Sequence, residues 1–263
     1  MAEHPKEAPV GRATMSPAMA DLRSYPRYLY DQVTPCLANR VWEIGVGYGT
    51  YTTWLREAGK AVLATDIDIE CLRAAREKFV SDPGVETARV DLTDRSTIEE
   101  CARFRADSIL CLNVLEHIED DVTALRWARE VVQPGGSLAL IVPAHQVLFG
   151  RMDAEAGHFR RYTRRSLARV LTQAGWEITR LRYLNLLGAA GWWYHNRWRT
   201  NVGLADDQLN RQMRGVDRWL PRIARVTDPL FGGIAGLSVL AWAKAGTVGN
   251  VDRIHTIPHR AIS

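Results

Sequence analysis

The sequence predicts an α/β protein built on a doubly wound, mostly parallel sheet with helices on both faces. Three observations carry that expectation. From residue 40 onward, short apolar runs alternate with amphipathic stretches of helical length, the pattern of strands joined by right-handed helical crossovers. The first run leads straight into a glycine-rich turn, Gly45-Val-Gly47-Tyr-Gly49. The next three runs each close on a small polar residue, Asp66, Asp91 and Asn113. In a doubly wound sheet those strand ends line a single crevice.

Taken in order, residues 1–20 are polar and read as a flexible lead. Ser24 to Leu37 is aromatic-rich and helical in part, interrupted by Pro26 and Pro35. Arg40 to Ile44 is a buried strand, and the helix after the glycine turn stops near Gly59. Ala61 to Thr65 is the second strand. Asp68 caps a helix that gathers Leu72, Ala75 and Phe79 on one face. Val85 to Val90 and Ser108 to Leu112 are the third and fourth strands, and Asp121 caps the helix carrying Val122, Leu125, Ala128 and Val132. The Pro134-Gly135-Gly136 turn opens a fifth strand, Ser137 to Val142. Thr163 to Ala174 spaces Leu167, Val170, Leu171 and Ala174 along one helical face, and Gly175 ends it. Trp176 to Tyr183 is a further strand; residues 184–245 are helical and rich in Trp and Gly, without a clear period.

Composition excludes several classes. No uncharged apolar run reaches spanning length: Leu230 to Ala243 has 14 residues and contains three glycines. The first residues lack the apolar centre of a secretory signal, so the expected location is cytoplasmic. Cys36, Cys71, Cys101 and Cys111 show no C-x-x-C spacing, which argues against a disulfide framework or a cysteine zinc site. His255 and His259 have helical ligand spacing, but Pro258 breaks the helix, and no metal is expected. The net charge of +4 is too small to announce a nucleic-acid binder. Its distribution says more: residues 1–150 hold 16 basic against 22 acidic side chains, residues 151–226 hold 15 against 6. The second half therefore faces something anionic.

The glycine spacing is G-x-G-x-G, since Thr50 stands where a nicotinamide fingerprint would need the last glycine. Glycines there let the backbone pass close beneath a ligand at a helix N-terminus. A carboxylate at the second strand end can accept both hydroxyls of a ribose, and one at the third an adenine amino group.

With E-I-G-V-G-Y-G (43–49), A-T-D-I-D (64–68), R-V-D-L (89–92), L-N-V-L-E-H-I (112–118) and Q-P-G-G-S-L (133–138), the chain resembles the class I S-adenosylmethionine-dependent methyltransferases of small molecules. The resemblance implies a Rossmann-like sheet of seven strands with an antiparallel last hairpin, and S-adenosyl-L-methionine as cofactor. It implies cofactor contacts from Glu43, Gly45, Gly47 and Gly49 at the methionine part, Asp66 and Ile67 at the ribose, Asp91 and Leu92 at the adenine, and Asn113 and Val114 near the sulfonium. It also implies a lid before the first strand, from which Tyr28 or Arg27 reaches the methionine carboxylate. The expected organisation is a lead (1–20), a core with its lid (21–183), a helical substrate-side cap with the final strand (184–245) and a tail (246–263).

Three subtypes are argued against. The fourth strand ends without the N/D-P-P-Y of base-amine methyltransferases, no Pro-Cys nucleophile follows it, and the magnesium-binding aspartates of catechol-type members are not recognisable. The acceptor side falls on Pro143 to Thr163, which resembles a subgroup carrying P-A-x-x-x-L-x-G-x-x-D-x-x-x-G-H-x-R-R-Y-T. There His145, His158 and Tyr162, with His117 after strand four, are the candidate catalytic groups. Arg160 and Arg161 are candidates for holding an anionic acceptor, and Trp192 and Trp193 for walling an apolar or cationic one. The main expectation is in-line methyl transfer to a small-molecule acceptor. Kept beside it are C-methylation of an isoprenoid or lipid-like alkene, a non-catalytic cofactor-binding protein, peripheral contact with a bilayer and an oligomer; a nucleic-acid partner is not expected.

Overall fold

The structure is a computed structural model and describes residues 11–14, 18, 21–198 and 206–246. The proposed tail with His255 and His259, and most of the lead, lie outside the described residues. Seven strands form one sheet: β1 (Arg40–Ile44), β2 (Ala61–Asp66), β3 (Val85–Arg89), β4 (Ser108–Leu112), β5 (Ser137–Pro143), β6 (Trp176–Leu184) and β7 (Ser238–Ala245), in the order β3-β2-β1-β4-β5-β7-β6. All pairings are parallel except those of β7, which runs antiparallel to both β5 and β6. The central strands are apolar almost throughout because both faces are covered. On the edge, β3 is half-buried, with Glu86 and Arg89 exposed.

Ten helices surround the sheet among the described residues: α1 (Ser24–Val33), α2 (Thr50–Glu57), α3 (Ile69–Lys78), α4 (Arg95–Glu99), α5 (Asp121–Val131), α6 (Arg151–Glu155), α7 (Arg164–Gln173), α8 (Leu186–Trp198), α9 (Asp207–Val216) and α10 (Leu220–Phe231). One apolar layer joins Leu125, Ala128, Leu167 and Leu171 of α5 and α7 to the sheet. The other joins Tyr28, Val33, Leu55, Leu72 and Ala224 of α1, α2, α3 and α10 to the opposite face. Side chains at three- and four-residue spacing on each helix supply these layers, as the periodicity requires.

Local chemistry sets several boundaries. The Asp68 carboxylate accepts the Glu70 N–H at 2.8 Å and starts α3. The cap of α5 falls at Asp120, which accepts the Thr123 N–H, and not at Asp121 as the sequence suggests; Asp121 is buried and used elsewhere. The short α4, capped by Asp94 through the Ser96 N–H, has too few turns to leave a periodic signature. The antiparallel pair β6–β7 is not a tight hairpin, because α8, α9 and α10 intervene. No helix among the described residues is long and apolar enough to cross a membrane.

Helix α1 is fixed to the helices between β6 and β7. The Asp217 carboxylate after α9 accepts the backbone N–H groups of Arg23, Ser24 and Tyr25 at 2.8–3.1 Å. Asp228 of α10 accepts the Tyr28 hydroxyl and, at 2.7 Å, the Asn185 N–H.

Candidate active site

At the C-terminal ends of β1, β4 and β5 lies a cleft of about 290 Å³. Its floor is the glycine turn. Gly45 has φ +84°, and a Cβ there would lie 2.5 Å from Cγ2 of Val114, so no side chain fits between the tips of β1 and β4. The Gly47 N–H donates to Asp66 Oδ2 at 3.0 Å, and the other oxygen of Asp66 accepts the Asp68 N–H. Asp66 thus ties the glycine turn to the tip of β2, and burial pushes its pKa up against those bonds. Glu43 accepts the Thr52 hydroxyl at 2.6 Å through Oε2, while its buried Oε1 has no partner. Burial raises the Glu43 carboxyl to about 8.

Of the residues assigned to the cofactor from sequence, Gly45, Gly47 and Asn113 line the cleft. Gly49 stands behind them as the left-handed N-cap of α2. Val114 packs on Gly45 and the core. Asp91 accepts both the N–H and the hydroxyl of Thr93 in a local turn, and Ile67 is half-buried beside Asp66; neither lines the cleft. Leu92 is a core side chain and does not line the cleft. Tyr28 stands away from the cleft, fully buried with its hydroxyl on Asp228, while Tyr25, Pro26 and Leu29 form the α1 wall.

The opposite wall is polar. A single 3-10 turn, Leu115–His117, places Glu116 and His117 in the cleft, and the loop after α6 places His158 and Arg161 there. Asp153 of α6 organises the pair: its Oδ1 accepts from His158 Nδ1 and from Arg161 Nε, each at 2.8 Å. Burial opposes ionisation of Asp153, but the bonds from His158 and Arg161 outweigh it and hold the carboxyl below its ordinary range. His158 Nε2 faces Glu116 Oε1 at 3.9 Å. The rings of His117 and His158 meet edge-on, with centroids 4.7 Å apart. Burial, with the neighbouring His158, lowers His117 to about 4, and burial raises Glu116 to about 7. Arg161 lies 4.8 Å over the Trp192 ring, whose Nε1 donates to the Leu148 carbonyl.

Four expected acceptor-side residues stand elsewhere. The chain is extended around Tyr162, which bridges Ala144, so neighbouring side chains alternate in direction. Arg161 enters the cleft, whereas Arg160 and the buried Tyr162 both bind Asp121, at 3.0 and 2.7 Å. The paired-arginine clamp is therefore split. His145, with φ +60°, stacks on Tyr183 at 4.5 Å outside the cleft. Trp193 points to solvent, 52% exposed, while Trp192 lines the cleft; the side chains of residues 194–198 lie outside the described residues. Glu116, Met152 and Met213 were not anticipated. Only Glu116 carried a signal, its place between Asn113 and His117 on a strand-end turn.

Residues 20–181 match the model of the methyltransferase domain family. A 101-residue stretch is 28% identical to a ubiquinone biosynthesis O-methyltransferase of Xanthomonas campestris, covering 38% of this chain and 41% of that protein. An uncharacterized methyltransferase of Mycobacterium bovis is 31% identical over 113 residues, 43% of this chain and 55% of that one. The matched stretch therefore spans about half or less of either relative. Among solved structures, the N-methyltransferase NodS from Bradyrhizobium japonicum, in complex with S-adenosyl-L-homocysteine, superposes with a TM-score of 0.55 at 16% identity, covering 90% of this chain and 96% of that one. The sheet order and the family match define a methyltransferase domain. The chain belongs to the methyltransferase domain family.

Proposed function

We propose that this enzyme carries a methyl group from S-adenosylmethionine, by in-line displacement, to a small-molecule acceptor bound against the Glu116–His117–His158–Arg161 wall. The observation that carries the reading is the continuity of one cleft from the glycine turn to that wall. The residues present fit the cofactor. The unpartnered, buried Glu43 oxygen suits a cationic amino group near the turn, and the Gly45 backbone leaves room that any side chain would fill. Asp66 retains lone pairs for ribose hydroxyls beyond the two N–H groups it already accepts. When bound, the cofactor supplies a sulfonium-activated methyl that needs no further activation.

The protein's own part is alignment and exclusion of water. Tyr25, Pro26 and Leu29 cover the turn from one side, and Met152, Trp192 and Met213 close the other. Positioning of this kind can lower a barrier by about 7–11 kcal/mol. Arg161, held by Asp153, presents a fixed positive charge for an anionic acceptor. Calorimetry tests the assignment: Asp66→Ala is expected to weaken S-adenosylmethionine binding at least tenfold while a cooperative melt is retained. Unchanged affinity removes the ribose role.

A second reading places the acceptor in a membrane. The outward face of α10 and the turns beside it expose Trp219, Ile223, Val226, Leu230 and Ile234, at 38–74%, in a stripe at helical spacing. Arg218 and Arg222 are exposed beside it. An apolar stripe rimmed by arginines matches an anionic lipid surface, and an acceptor with an isoprenoid or acyl tail would be met there. Co-sedimentation with phosphatidylglycerol vesicles, absent with phosphatidylcholine and lost in Ile223→Asp/Leu230→Asp, is the expected result. Equal recovery in all three conditions removes this reading.

A further inference from the structure

We propose that Glu116, His117 and His158 form a site for a zinc-class divalent cation, placed where the acceptor presents an oxygen atom. One ligand atom from each residue, a carboxylate oxygen and two imidazole nitrogens, lies within 4.8 Å of the others. Tetrahedral ligands at about 2.1 Å from a metal stand about 3.4 Å apart, so a small inward movement of the three side chains completes the set. Two neutral imidazoles and one carboxylate suit zinc and its neighbours better than magnesium, which prefers oxygen.

The surroundings are those of a ligand set. Glu116 is 1% exposed, yet its Oε2 has no hydrogen-bond partner, and the residue borders the cleft. His117 Nδ1 is likewise buried without a partner. His158 gives Nδ1 to Asp153, leaving Nε2 aimed at Glu116. His158 thus has one nitrogen held by an outer carboxylate and the other turned toward Glu116. That division is how proteins orient metal-binding histidines and set their tautomer.

Three protein ligands leave a coordination position open toward the cleft. This inference rests on reading the cleft as the acceptor site, and it narrows the acceptor to one carrying a hydroxyl, phenol or enol. Such an oxygen bound to the cation loses its O–H proton to solvent near neutral pH and keeps the electron pair, which forms the O–CH3 bond as the S–CH3 bond breaks, its pair passing to sulfur and S-adenosylhomocysteine leaving. No separate side-chain base is needed, and the nitrogen lone pairs of both histidines stay on the metal.

The test uses the full chain after dialysis against chelator, titrated with Zn²⁺ by calorimetry and with Co²⁺ by visible absorption. One equivalent is expected to bind, with the intense visible bands of low-coordinate cobalt, and a large excess of Mg²⁺ is not expected to displace it. His117→Ala and His158→Ala are each expected to lower Zn²⁺ affinity at least 100-fold, and Asp153→Asn about 10- to 100-fold. Glu116→Gln serves as a near-isosteric check should an alanine variant lose its cooperative melt, and is expected to lose the cobalt bands. No stoichiometric binding, or binding unchanged in these variants, overturns the site. S-adenosylmethionine affinity is measured in parallel on the same metal-free protein: its absence counts against the methyltransfer reading, while metal binding is judged by the titrations alone.

Discussion

Glu43 is the residue at which site chemistry and stability meet. Its carboxyl titrates near 4.5 when unfolded and near 8 in the fold, so the native state holds the proton more tightly. The stabilising contribution is complete below about pH 4.5 and is lost as pH rises through about 8. Without cofactor, Glu43→Gln is expected to flatten the pH dependence of unfolding, gaining on the order of 3 kcal/mol relative to wild type between pH 5 and pH 9. Parallel denaturant curves at the two pH values are the measurement, and equal wild-type and variant slopes would contradict it. Tyr28 makes the complementary case. Its hydroxyl is occupied by Asp228, so Tyr28→Phe should cost about 1–2 kcal/mol of stability and leave the KM for S-adenosylmethionine within twofold. A tenfold rise in that KM would restore the cofactor contact expected from sequence. The histidines show where sequence reading stops: spacing named His117, His145 and His158 alike, but only tertiary packing separates the two that share the cleft from the one stacked on Tyr183.

At the scale of elements, the strands and the helices on the sheet were legible because one period governs each. Ser108 to Leu112 must be apolar on both faces, and α7 must gather Leu167 and Leu171 on one side. The helices between β6 and β7 were not, because α8 packs against α10 and the cleft together and so needs no single apolar stripe. The segment after β5 was legible as chemistry and illegible as direction, since nothing local says which of Arg160 and Arg161 turns inward. The tie between α1 and the turn after α9 was invisible for a similar reason: Asp217 and Arg23 are far apart in sequence. Its removal is testable. Asp217→Ala leaves three N–H groups at the start of α1 without their acceptor. The expected loss is about 1–2 kcal/mol, together with faster proteolysis ahead of Ser24 and a higher substrate KM, because α1 carries Tyr25, Pro26 and Leu29. Unaltered cleavage and kinetics would show that α1 stays in place without its cap.

For the molecule as a whole, the two halves differ in purpose as they differ in charge. The acidic first half builds the crevice and its glycine turn. The basic second half supplies Arg161 to the cleft and the arginines around the α10 stripe. The sheet order makes the two halves interdependent, since β7 pairs antiparallel with β5 on one side and, across a bulge between Ile178 and Arg180, with β6 on the other. A chain still emerging from the ribosome has the other six strands of the described sheet before it has this one. Until Ala245 is delivered, a strand-wide gap stays open beside β5, with unpaired backbone on both banks. Biogenesis thus includes an interval in which a chaperone, or a neighbouring copy still being translated, can lodge in that gap.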